Sequence, residues 1–132
     1  MPPEASSRAH GSQALAISNA MVSLMHGATG RGPQRTRTEM GHDTITVVMQ
    51  DGLTKSERTL ASNGRENEVL ETRRAIQQII GNDAIKAIEE LSGRKVLAFM
   101  SENHIDPDVA AEVFVLEPRA RDEGQPAGEA AG

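Results

Sequence analysis

A chain of 132 residues with a formal charge of −5 has room for one domain with one modest core, and its acidic balance excludes the Lys- and Arg-rich surface that nucleic-acid binding requires. Aromatic residues amount to 2%, with Phe99 and Phe114 as the only two, which removes base-stacking platforms. The absence of cysteine excludes disulfides, thiolate metal sites, iron–sulfur clusters and a cysteine nucleophile, and the absence of a long apolar stretch points to a cytoplasmic protein without direct membrane insertion.

Residues 1–11 and 119–132, rich in Pro, Gly, Glu and Ala, read as flexible tails around a domain spanning 12–118. Ser12 is placed to cap a helix in which Leu15, Ser18, Val22 and Met25 recur at helical spacing, with Ile17, Met21 and Leu24 widening the apolar face. The run from His26 to Pro33, with three glycines, ends it. Thr36 to Met40 and Thr44 to Gln50 then form a hairpin around Gly41, His42 and Asp43, with Ile45, Val47 and Met49 on one face.

Thr54 and Glu57 make a capping box, in which hydroxyl and carboxylate satisfy each other's backbone N–H groups, and it opens a short helix that stops near Asn63 and Gly64. Val69, Ile76, Ile80, Ala84, Ala87 and Leu91 keep one phase across a long helix, with Gly81 as a weak point costing about 1 kcal/mol. Its charged residues, Glu66, Glu68, Glu71, Arg73, Arg74, Lys86, Glu89 and Glu90, read as a solvated face. Ser92 and Gly93 terminate it, and residues 94–101 and 109–116 supply two further strands around a polar loop. The order α-β-β-α-α-β-β, with no βαβ alternation, gives an α+β fold: an antiparallel four-stranded sheet with helices packed on one face.

Three stretches are candidate sites. Gly30, Arg31 and Gly32, leading into Arg35 and Arg37, combine exposed N–H groups with guanidinium groups that suit an anion or an acidic partner; the bland alternative is a helix-to-strand turn with solvated arginines. Glu102, His104, Asp106 and Asp108 recur at every second position beside Asn103, but Pro107 interrupts the run. Their spacing matches neither a calcium loop nor a helical zinc motif, so the expectation is a polar hairpin loop with no metal and no cofactor. Ser101 precedes His104 by three residues without a nucleophile elbow, so no catalytic residue is assigned and no enzyme is expected. In the last strand, placing Val113 and Val115 on the helix side with Ile45, Val47 and Met49 puts Val48, Phe114 and Leu116 on the outer face. A contiguous apolar patch of that kind predicts a homodimer interface.

Gly30 to Pro33, Asp51 to Arg58, and Met100 to Asp108 followed by Val113 to Leu116 together resemble the MpsC-like family, over about residues 12–118. The family takes its name from a bacterial sodium-translocating, membrane-potential-generating system. The resemblance implies a small accessory or regulatory component beside membrane-embedded transporter subunits, connected with cation or inorganic-carbon transport, and it supplies no catalytic residue.

Overall fold

The computed structural model describes residues 3–119, with side chains from residue 11 onward. The elements are α1 (Pro3–Thr29), β1 (Arg35–Met40), β2 (Thr44–Gln50), α2 (Lys55–Ser62), α3 (Glu66–Ser92), β3 (Val96–His104) and β4 (Val109–Leu116). They form one antiparallel sheet in the order β1-β2-β4-β3, so the α+β class and the element order expected from the sequence both hold.

Helix α1 is longer than its hydrophobic periodicity indicates. It begins at Pro3, inside the stretch read as a tail, and Ser12 lies within it rather than capping it. Proline is tolerated in a first turn, where its missing N–H has no helical partner to lose. Ile17, Ser18, Met21 and Met25 are buried, whereas Leu15 is 62% exposed, so the inward stripe is rotated from the expected one. The helix ends where Gly30 takes φ +80°, a left-handed conformation that glycine adopts without Cβ strain.

The hairpin β1–β2 turns at the expected residues, and Ile45, Val47 and Met49 point inward. The capping box is complete: Thr54 Oγ1 accepts from the Glu57 N–H, and Glu57 Oε1 accepts from the Thr54 N–H at 2.8 Å. Thr54→Ala should therefore lower stability by about 1 kcal/mol, read as a fall in the midpoint of thermal or urea unfolding, because one N–H at the start of α2 loses its acceptor. An unchanged midpoint would show the cap to be idle.

Helix α3 is a single helix through Gly81, but its buried stripe is Val69, Arg73, Gln77, Ile80, Gly81, Ala84 and Ile88. Arg73 and Gln77 therefore belong to the interior, and Arg73 is corrected from the solvated face to the buried one. Gly81 is close to the sheet: a Cβ there would meet the Phe99 ring at 3.4 Å. Phe99 in turn stacks on Phe114, with ring centroids 4.9 Å apart.

The core joins Ile17, Met21 and Met25 of α1 and Ile80, Ala84 and Ile88 of α3 to the inner face of the sheet. That face carries Phe114 and Leu116, which corrects their assignment to the outer side: both are buried, and Ile45 lies directly opposite Phe114 in the β2–β4 register. Residues directly opposite in an antiparallel pair share a face, so Val113 and Val115 point outward. Glu112 has the same phase as Phe114 and Leu116 and is fully buried. A carboxylate is normally left in water, so hydropathy alone inverts the parity of β4.

Candidate functional site

Gly30 to Pro33, the Asp51 turn and Asp108, drawn from the segments that carry the family resemblance, meet at one end of the sheet. Asp51 takes φ 60° at the turn after β2, and Arg31 Nη2 donates to its carbonyl at 3.1 Å. The Asp51 N–H donates to the Asp108 carbonyl at 3.1 Å, and the Leu53 N–H to Asp108 Oδ2 at 2.9 Å. A Cβ on Gly52 would lie 3.5 Å from Pro33. Backbone polar groups that a buried junction would otherwise orphan are thus satisfied by side chains from two distant loops.

The guanidinium groups of the candidate anion stretch each have a partner within the chain. Arg31 reaches back to the Asp51 carbonyl, Arg35 approaches the Asp51 carboxylate at 3.5 Å, and Arg37 approaches Glu39 at 3.4 Å. Gly30 and Gly32 shape the exit from α1, the latter because a Cβ would meet Val22 at 3.1 Å. Arg35 and Arg37 border a shallow hollow of about 500 Å³ with Gln34, Thr36, Val48 and Gln50.

The polar-loop residues also divide. Glu102, Asn103 and His104 belong to β3 and not to a loop, since the strand runs on to His104. Alternation sends Asn103 inward and leaves Glu102 and His104 on the outer side, while Asp106 and Asp108 sit in the turn. His104 Nδ1 lies 2.8 Å from the Pro107 carbonyl oxygen, and Ser101 pairs with Glu112, not with His104. Among the described residues, no group of three or more His, Cys, Asp or Glu side chains is gathered to hold a metal. His104, Ile105 and Asp108 line one wall of a cleft of about 640 Å³, whose other wall carries Leu53, Arg58 and Leu70.

Sequence reasoning missed a series of polar pairs, each with at least one buried member. Arg73 donates from Nε to Glu57 Oε2 at 2.7 Å and from Nη2 to Glu57 Oε1 at 2.6 Å, and Nη2 also reaches the Gly52 carbonyl at 2.7 Å. Burial works to raise the Glu57 carboxyl, but the hydrogen bonds and charge of Arg73, with the Thr54 N–H, hold it below its ordinary value. Gln77 and Asn103 exchange two amide hydrogen bonds, at 2.9 and 2.8 Å. Ser101 donates to Glu112 Oε2, whereas Glu112 Oε1 has no partner among the described residues. Burial pushes the Glu112 carboxyl up to about 7, against the opposing pull of the Ser101 hydrogen bond. The signal for this series was present: Val69, Arg73, Gln77 and Gly81 recur every four residues, in phase with the apolar stripe of α3.

The outer face of the sheet is the remaining candidate. The register arranges it in rows: Arg35, Gln50, Val109 and His104; Arg37, Val48, Ala111 and Glu102; Glu39, Thr46, Val113 and Met100; Thr44, Val115 and Ala98. Its centre is aliphatic and its two edges are charged. Met100 is 52% exposed, and Leu97, at the irregularity near the start of β3, is 57% exposed. Of the expected interface residues, Val48 is on this face, and Phe114 and Leu116 are not.

A Bacillus subtilis (strain 168) protein, the uncharacterized protein YrhF, is 28% identical over 90 residues, covering 67% of this chain and 74% of the relative. No solved structure matches the chain. The family described as Na+-translocating membrane potential-generating system (MpsC) matches residues 10–118. That span takes in every strand, α2, α3 and the described side chains of α1. The chain belongs to the MpsC family.

Proposed function

We propose that this chain is a non-enzymatic, cytoplasmic accessory domain of a sodium-translocating system, working by protein contact and assembled as a homodimer through the outer face of its sheet. The family description supports the setting. Among the described residues no helix is long and apolar enough to cross a membrane, so contact with membrane-embedded subunits would run through protein surfaces. The observation that carries the reading is the outer face itself. The core contributed by α1 and α3 lies against the other side of the sheet, and Val48, Ala111, Val113, Val115 and Met100 form a continuous aliphatic band. Such a band with a polar rim is the usual anatomy of an interface, and a two-fold lets one surface cover itself.

Val113→Glu tests this. The variant should keep its fold by circular dichroism, become a monomer by light scattering at tens of micromolar, and lose roughly tenfold or more of the membrane transport subunits that the wild type retains from native membranes. Wild-type protein that is monomeric at that concentration, or that retains no membrane-embedded protein, would sink the reading.

A further inference from the structure

The outer face carries a charge pattern in which one way of pairing two copies joins the charged groups of both edge strands. Arg37, on edge strand β1, and Glu102, on edge strand β3, occupy the same row, with Val48 and Ala111 between them. Within one chain each has a loose partner. Arg37 stands 3.4 Å from Glu39, with side chains 69% and 56% exposed, and the exposed Glu102 accepts from its neighbouring Asn103 N–H. Exposed pairs of this kind contribute little and exchange readily.

A two-fold axis lying between the sheets can run along the strands or across them. An axis across the strands sets β1 over β1 and β3 over β3, so Arg37 finds the Glu39 of the second copy while Glu102 faces Met100. An axis along the strands, midway between β2 and β4, sets β1 over β3 and preserves the rows. Arg37 then meets the Glu102 of the second copy, and Glu102 meets its Arg37. In the same arrangement Val48 lies over Ala111, large against small, and Thr46 over Val113, a pair of similar volume. The four strands outline a patch of about 20 by 25 Å, or about 1,000 Å² over both copies, which reaches the lower bound for a specific interface. Face-to-face sheets about 10 Å apart with closely aligned strands keep these rim side chains within reach of each other.

We infer that the occupant of the outer face is a second copy of this chain, related by a two-fold axis parallel to the strands, with Arg37 of each copy paired to Glu102 of the other. This rests on the homodimer reading above and adds its geometry.

The test is a charge-reversal set examined by sedimentation equilibrium. Arg37→Glu and Glu102→Arg alone should each weaken dimerisation by about tenfold or more, because each homodimer then brings like charges together twice. Mixing the two variants should restore dimerisation to the wild-type level, since both opposed pairs become complementary in the mixed dimer; the double variant Arg37→Glu/Glu102→Arg should be restored as well. A dimeric wild type whose single reversals dimerise normally, or whose mixture is not restored, refutes this arrangement and leaves the homodimer standing. A monomeric wild type refutes both. Both side chains are exposed, and circular dichroism of each variant confirms that only association has changed.

Discussion

Arg73→Ala should destabilise the protein by about 3–5 kcal/mol, the largest effect expected of any single substitution outside the apolar core. The guanidinium and the Glu57 carboxylate have side-chain exposures of only 5% and 9%, so removing one leaves the other charged and out of reach of water. Arg73 also satisfies the Gly52 carbonyl, and Glu57 also holds the start of α2, so the loss spreads to the turn after β2 and to the helix cap. Chemical denaturation at pH 7 gives the figure directly. The double variant Glu57→Gln/Arg73→Met should cost clearly less than the two single losses combined, because the penalty lies in the uncompensated charge rather than in the absence of the pair. A loss below about 1 kcal/mol for Arg73→Ala would mean that the pair is effectively solvated. The same pair sets the acid limit. The folded-state value of Glu57 lies below the ordinary carboxyl value, so its contribution is present above the unfolded value of 4.5 and is lost as pH falls through the folded value.

Glu112→Gln should act in the opposite direction and stabilise the protein at pH 8 by about 3 kcal/mol, with little effect at pH 4. The folded carboxyl titrates near 7 and the unfolded one near 4.5. Between those values the native state keeps a proton that the unfolded chain has released, and stability falls by about 1.4 kcal/mol per pH unit. The neutral Glu112 contribution is therefore fully present below 4.5 and lost as pH rises to about 7, beyond which the curve is flat. Glutamine retains the shape and the hydrogen-bonding pattern of the neutral acid beside Ser101 and does not titrate. Urea midpoints of wild type and variant across pH 4 to 8 should converge at the acid end and separate above it. Parallel curves would show that the Glu112 carboxyl titrates alike in the folded and unfolded states and is not raised by burial. The joint contribution of Glu57 and Glu112 to stability is therefore largest at about pH 5.

Strands β1 and β2, α2 and the end of α3 were legible in the sequence because each is announced locally. Gly41 to Asp43 supplies the turn, Thr54 and Glu57 cap each other three residues apart, and Gly93 takes the left-handed conformation that closes a helix. The outer and inner sides of β4 were not legible, because Glu112 breaks the hydropathic alternation that would have revealed them. Arg73 was misplaced for a related reason: a charged residue at an apolar phase is read as solvated until its partner, sixteen residues away on another helix, is seen. The candidate sites fared similarly. The aliphatic band on the outer face was anticipated through Val48, but its other members, and the Arg37 and Glu102 row, emerge only from strand register. Glu102 and His104 were read as loop residues because Pro107 masks how far β3 continues.

The order β1-β2-β4-β3 also governs how the chain reaches its native state. Strands β1 and β2 are sequence neighbours, as are β3 and β4, so each hairpin closes over a short turn. The central seam is different: β2 pairs with β4 across about 60 residues, a separation occupied largely by α2 and α3. Loop closure over that distance must precede any reward from the seam, which favours slow commitment to the sheet after rapid local zipping. Formation of α3 shortens the effective path, because its twenty-seven residues become a rod of about 40 Å that carries the second hairpin back toward the first. Folding speed should accordingly be governed by the helix and by the β2–β4 seam, and much less by the edge strand β1.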